Sequence, residues 1–477
     1  MEQLNGLDAF FVHGESSRTP MHIGALLVYT EPRKLHPDIR YQQLRERVVQ
    51  ALPSAAVFRR RLLKVPAGLD HPYWIEDADF NLDNHLQRHR LRSKASYYDL
   101  EKLVASLHAN QLDFSRPLWE AHLIEGLGQL TEYPSNSYGL YLKVHHAALD
   151  GVSATQILNS IHDATVGEQA TPDTWEGERP PSSSRLLWRA YLNSLRQPLA
   201  LIGQGQKLLP RWQRSQSEAK ASPDNDSHRI DPGWQRSPFN KAVEANRQLT
   251  SVHFEMNALQ RLRQHQTGAT INHVLLAIIS GAVRRYLIHL NQLPDTPLGA
   301  MVPVNLRSDD SEGGGNMIGA MIAGLRVDID DPLQRLQAAA TSAMTAKKSA
   351  ERLGRFSMMN VARNLPSLAE RSMFWSLAAM CRLPGGLPMP VATVLSNIPG
   401  PTSTMHLNGT RLIDIQAIGL LTDGCGLFHV AFSYQGRLSL TALSSSNTLV
   451  DPQRYRQCLL QSFDELLEAV EEVEGGA

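Results

Sequence analysis

Lys143-Val144-His145-His146-Ala147-Ala148-Leu149-Asp150-Gly151 is the stretch on which the reading of this chain turns. Just upstream the sequence alternates from Tyr138 to His146, with Leu140, Leu142, Val144 and His146 on one face of a strand. Asp150-Gly151 breaks the run. Ser153 then offers a cap for a helix whose apolar residues Ala154, Ile157, Leu158 and Ile161 recur at i, i+3, i+4, i+7. Two histidines therefore close a strand at a tight turn just before a helix. Alternation turns His146 inward and His145 to the other face. An imidazole beside an apolar wall suits general-base work, because its ordinary pKa of about 6.5 lies near working pH. Asp150 can orient that ring or hold the turn by pairing with a distant cation. On spacing alone, a histidine packed in the core is the plainer reading.

Around this stretch the chain reads as mixed α/β units. Residues 1–165 contain a strand at Ala25–Tyr29 and a helix at Tyr97–Asn110 besides the histidine strand. Residues 166–238 are linker-like at both ends, at Pro180-Pro181-Ser182-Ser183-Ser184 and Ser222-Pro223-Asp224-Asn225-Asp226-Ser227. Residues 239–477 form a second unit. It has a helix capped by Thr270 and running to about Leu290, a strand at Leu298–Leu306 and a helix at Asp331–Leu353. A hairpin at Phe428–Ser444 turns near Gln435-Gly436, and a closing helix starts at Asp451-Pro452.

With 47 Lys+Arg against 47 Asp+Glu in 477 residues, the net charge is zero, which argues against a nucleic-acid partner. Cys381, Cys425 and Cys458 have neither zinc nor disulfide spacing and fit a reducing compartment. The start lacks a secretory pattern, and the nearly apolar run Val274–Val283 is shorter than the about 20 residues a membrane span needs. A soluble or peripherally attached intracellular protein is the expectation.

Further motifs sharpen the reading. Pro20-Met21-His22-Ile23-Gly24, Pro117-Leu118-Trp119, Pro303-Val304-Asn305-Leu306-Arg307 and Ser396-Asn397-Ile398-Pro399-Gly400-Pro401 flank the HHxxxDG segment in order. With that segment they resemble the bacterial wax ester synthase/diacylglycerol acyltransferase family, within the HHxxxDG CoA-dependent acyltransferases. The likeness runs from about Asp8 to Leu449 and is least diagnostic over 166–238. It implies a two-domain, chloramphenicol acetyltransferase-like α/β fold with mixed sheets and the active site at the domain interface. The activity implied is direct transfer of a long-chain acyl group from acyl-CoA, a substrate and not a cofactor, to a fatty alcohol or diacylglycerol. No Gly-x-Ser-x-Gly elbow is present, and no cysteine neighbours His146 in sequence, so a ternary complex without an acyl-enzyme is expected.

The candidate catalytic residues are His146, His145, Asp150 and Asn272. Asn272 and Asn397, with Ser396 beside it, are candidates for binding the oxyanion or the substrate; either asparagine also reads as an ordinary helix-start or turn residue. In families resembling this one the motif aspartate pairs with a distant arginine, and Arg307 is the matching position. Gly151 belongs to the turn, and Pro117-Leu118-Trp119 reads as core packing or as an acyl-channel wall. One departure is His273, which stands where the family commonly has aspartate after the asparagine. Gly313-Gly314-Gly315 lacks the Lys-Ser/Thr of a P-loop. His85 and His89 have a helical ligand spacing with no third ligand, so they read as a solvated basic face, and no metal is expected.

Two other functions fit the same residues: a stand-alone condensation-type enzyme using carrier-protein thioesters, and a catalytically silent lipid-binding protein. Leu186–Trp212 carries Trp188, Tyr191 and Trp212 among Arg189, Arg196, Lys207 and Arg211. It reads as an amphipathic anchor at the inner membrane face or a lipid inclusion, or else as an interdomain helix. A homodimer is compatible with everything above.

Overall fold

The computed structural model describes residues 1–54, 56–149, 154–163, 177–195, 235–305, 318–353, 365–383 and 387–475. The first half runs β1 (Glu2–Gln3), α1 (Gly6–Gly14), β2 (His22–Thr30), α2 (Pro37–Ala51), β3 (Arg60–Leu63), β4 (Tyr73–Glu76), β5 (Leu86–Arg90), α3 (Tyr97–Ala109), β6 (Trp119–Glu125), β7 (Ser137–His145) and α4 (Ala154–Ile161). Helix α5 occupies 183–195. The second half runs β8 (Arg247–Glu255), α6 (Met256–His265), α7 (Ile271–His289), β9 (Leu298–Asn305), β10 (Ile318–Leu325), α8 (Pro332–Leu353) and α9 (Ser367–Cys381). Then follow β11 (Thr393–Pro399), β12 (His406–Leu407), β13 (Thr410–Ile418), β14 (Leu427–Tyr434), β15 (Arg437–Ser445) and α10 (Pro452–Gly475).

Two six-stranded mixed sheets carry the architecture. The first has the order β12-β13-β2-β7-β6-β5 and the second β10-β9-β11-β14-β15-β8. A small antiparallel sheet, β1-β4-β3, lies beside them. The chain does not respect the boundary between its halves, because β13 leaves the second half and pairs antiparallel with β2, Ile415 opposite Leu27. β14 also reaches across: Val430, Phe432 and Tyr434 pack into the first sheet's core with Leu140 and Ile415. The Tyr434 hydroxyl accepts from the Met405 N–H (2.9 Å) and donates to the Leu412 carbonyl (3.3 Å).

Local sequence explains the elements that hold the site. Ser96 and Asp99 form a reciprocal cap on α3. The hairpin β14–β15 turns at Gln435 and Gly436, both with positive φ (49° and 77°), which matches the right-handed twist of the flanking strands. Helix α7 is nearly all apolar along Val274–Val283, and that stretch packs at the centre of the second core with Val274, Leu276, Ile279 and Val283 at 1% exposure or less. It is long and apolar enough to cross a membrane, but here protein surrounds it. Gly24 is required at its position: a β-carbon there would sit 2.7 Å from the Tyr141 ring on the adjacent strand.

Candidate active site

β7 ends at His145, and His146–Leu149 form a single 3₁₀ turn. This corrects the alternation argument. The pleat stops one residue before His146, so the two histidines are not simply on opposite faces. His145 is the fully buried one, and His146 is half-buried at the start of the turn. The His146 N–H donates to the Met21 carbonyl (2.9 Å), which ties the turn to the Pro20–Gly24 segment.

The two rings are used differently. The His145 Nδ1 accepts from the Ala147 N–H (3.1 Å), so the proton sits on Nε2, which donates to Glu15 Oε2 at 2.9 Å. Glu15 is itself buried and also accepts from the Met21 N–H (2.9 Å) and Gln111 Nε2 (3.0 Å). Both nitrogens of His145 are therefore committed to hydrogen bonds. His146 has no side-chain hydrogen bond to another described residue, and its ring stacks on Phe11, centroids 3.8 Å apart and planes 19° apart. Burial, reinforced by the neighbouring His145, pushes its pKa down to about 4. The imidazole is neutral at ordinary pH, with a lone pair available. Phe11 and Glu15, on and just after α1, had no signal in the sequence; Glu15 is 130 positions from the histidine it holds.

The two candidate asparagines meet. Asn397 on β11 donates from Nδ2 to Asn272 Oδ1 at 2.6 Å, across 125 positions. That bond engages the Asn272 oxygen and, among the described residues, leaves its Nδ2 donors over at the first turn of α7, where the helix dipole favours negative charge. His273 fills the neighbouring position by accepting from the Thr270 N–H at 3.3 Å, so it caps the helix where the family's carboxylate is absent. Ser396 is half-buried on β11 opposite Val430.

Ala148 and Leu149 of the histidine turn and Ile398 beside Asn397 pack against one core cluster. Among the described residues no hydrogen bond joins His146 to either asparagine. Asp150, Gly151 and Arg307 lie outside the described residues, as do Ser153, Gly313-Gly314-Gly315 and Arg196–Trp212.

Pro117-Leu118-Trp119 is core. Leu118 (0%) and Trp119 (3%) are buried, the Leu118 carbonyl accepts from the His145 N–H (3.0 Å), and Trp119 Nε1 donates to the Phe58 carbonyl (3.2 Å). The apolar cavity beside Trp119 holds about 20 Å³, room for a water and no acyl chain. His85 and His89 also depart from expectation. They flank and occupy a strand, not a helix, and His85 is buried, stacked on Trp119 with Nδ1 on the Trp119 carbonyl (2.8 Å).

The fold is thus a two-sheet α/β fold with a histidine turn at one strand end and an amide pair joining α7 to β11, the neighbours of both packing against one core cluster. Residues 4–275 match the wax ester synthase/diacylglycerol acyltransferase catalytic domain, and residues 314–467 match the WS/DGAT C-terminal domain. The chain belongs to the wax ester synthase/diacylglycerol acyltransferase family. It is 29% identical over 470 residues, 97% of this chain and 98% of the relative, to a Mycobacterium tuberculosis (H37Rv) protein named "Probable diacyglycerol O-acyltransferase tgs2". In fold it is similar to the wax ester synthase/diacylglycerol acyltransferase from Marinobacter aquaeolei VT8 (TM-score 0.69, 24% identity, covering 99% of this chain and 100% of that one). It is also similar to the starter condensation domain of a rhizomide synthetase (TM-score 0.54, 13% identity, 98% and 94% covered).

Proposed function

We propose that this acyltransferase moves a long-chain acyl group from acyl-CoA to the hydroxyl of a fatty alcohol or diacylglycerol, with His146 as the base. The observation that carries the proposal is the state of His146: half-buried, neutral, clamped on Phe11 and free of any described side-chain partner. As the alcohol oxygen attacks the thioester carbonyl, His146 takes its proton and the Asn272 Nδ2 donors face the developing oxyanion. Collapse breaks the C–S bond, and the imidazolium returns its proton to the departing CoA thiolate. A histidine held near 4 is a strong acid once protonated, and a thiol has a pKa of about 8.5, so this last transfer is downhill. Nothing in the sequence supplies a serine elbow, so the reading involves no acyl-enzyme.

Thiol release from palmitoyl-CoA, followed with and without hexadecanol or dioleoylglycerol, tests the proposal. Release that requires the acceptor, with ester formed in equal amount, is the expected result. Release without acceptor, or none at all, overturns it.

The same reading includes peripheral attachment to a lipid surface on the cytoplasmic side. Two helices dock on the segment 65–73: α5 through Leu186 and Ala190 against Val65 and Tyr73, and α9 through Ser367 to the Gly68 carbonyl (2.9 Å). Both present large apolar side chains outward, among them Trp188 (61% exposed), Tyr191 (55%) and Trp375 (79%). Neighbouring exposed aromatics of this size suit a headgroup layer. Replacing Trp188 and Trp375 with Glu is expected to reduce flotation with anionic vesicles while sparing transfer to a short water-soluble alcohol. Unchanged flotation defeats the attachment.

A further inference from the structure

We infer that His13, His71 and Glu370 form a binding site for a single divalent transition-metal cation of the zinc type. The three side chains come from α1, from the segment before β4 and from the first turn of α9, and their ligand atoms all lie within 4.8 Å of one another. Glu370 Oε2 is 2.7 Å from His13 Nδ1 and 4.0 Å from His71 Nδ1. A tetrahedral ion with bonds of about 2.0–2.2 Å sets its ligands roughly 3.3–3.6 Å apart, so modest side-chain adjustments bring the set to that spacing.

The hydrogen bonds behind the cluster decide its chemistry. The Ser367 hydroxyl donates to the Gly68 carbonyl (2.9 Å), so toward His13 Nε2, 3.2 Å away, it can only accept. His13 must then carry its proton on Nε2 and present a lone pair at Nδ1. His71 reaches the Leu365 carbonyl, while its Nδ1 is buried without a hydrogen-bond partner among the described residues. Glu370 is completely buried, and its Oε1 also has no hydrogen-bond partner among the described residues.

Two imidazole lone pairs and a carboxylate thus come together, and both imidazoles are backed on their far side as metal-ligating histidines usually are. One proton on Glu370 can satisfy His13, but His71 Nδ1 and Glu370 Oε1 stay unpaired. A divalent cation satisfies all three residues. Burial pushes the Glu370 carboxyl up to about 8 and the His13 imidazole down to about 4. The cations that face it, Lys64 and Arg371, are each engaged elsewhere, over the Phe114 ring (4.1 Å) and on the Ala67 carbonyl (3.1 Å); Asp70, beside His71, adds negative charge. An N₂O donor set of two imidazoles and one carboxylate selects zinc-like ions over magnesium or calcium. The ion would clamp α9 to α1, two positions along from Phe11, which stacks on His146.

The test uses tag-free full-length protein stripped with EDTA and titrated with Zn²⁺ by calorimetry, with Co²⁺ visible absorption as a second readout. We expect about one equivalent bound, release of a proton on binding at neutral pH, and a Tm that rises with Zn²⁺ concentration. His71→Ala and Glu370→Gln should each weaken binding by about 100-fold or more. Ser367→Ala, which leaves all three ligands in place, should weaken it by about 10–100-fold. Folded parent protein that takes up neither ion overturns the site. So does uptake that survives unchanged in all three variants, since the ion then binds elsewhere.

Discussion

The histidine end of the first sheet and the asparagine end of the second are held by different physics. Around His145 a buried carboxylate does the holding: Glu15 takes the His145 Nε2–H, the Met21 N–H and the Gln111 amide. Around Asn272 the holding group is neutral, a single amide-to-amide hydrogen bond from Asn397. The carboxylate anchor gathers three hydrogen bonds, while the amide pair rests on one contact. In both places the anchoring leaves groups over among the described residues, the His146 ring and the Asn272 amide donors.

The largest effect should come from separating holder from worker on the histidine side. His146→Ala is expected to lose roughly 10²–10⁴-fold or more of the transfer rate with little change in Tm. His145→Ala should lose less rate but more thermal stability, because it strips a charge-assisted bond from buried Glu15. Similar, mild losses in both would erase the distinction. On the amide side Asn272→Ala should cost about 10²–10³ in kcat. If Asn397 acts through Asn272, the double variant should be little worse than Asn272→Ala alone, and strictly additive losses would show that the pair does not work as a unit.

The smallest effect is in pH. His146, His13 and His162 are held down to about 4, and His108 and His429 to about 3, in each case first by burial. The folded-state values lie below the ordinary 6.5, so on acidification the unfolded chain takes protons first. Stability should therefore fall as pH drops from about 6.5 toward 3, with Glu370, raised to about 8, pulling weakly the other way. A Tm series across that range reads the net sign. In the same series the Asn272→Ala variant should keep the parent's slope, whereas His146→Ala should flatten it slightly.

Much of this was legible because it is local. The helix starting at Tyr97, the long helix after Thr270, the hairpin around Gln435-Gly436 and the closing helix at Pro452 all announce themselves through caps, turns and apolar spacing within a few residues. Asn272 and Asn397 could be chosen by chemical type, but their contact could not. The partners that fix the site were unreadable for a different reason. Glu15, Phe11 and the trio His13, His71 and Glu370 acquire meaning only through the fold, since His13 and Glu370 are 357 positions apart. The reading of the two histidines as opposite faces of one strand ran past a boundary: alternation holds only while the strand lasts, and β7 stops at His145.

The pairing of β13 with β2 has a consequence for how the protein is made. On the ribosome β2 emerges early, and one of its edges stays without a neighbour until residues 410–418 have been synthesised. At about 5–20 residues per second that delay is on the order of tens of seconds. Throughout it, a nascent sheet edge bordered by Leu26, Leu27 and Val28 is open to any passing strand. The catalytic half of this chain cannot mature ahead of the other half, and a ribosome stalled between them leaves a sticky template for aggregation.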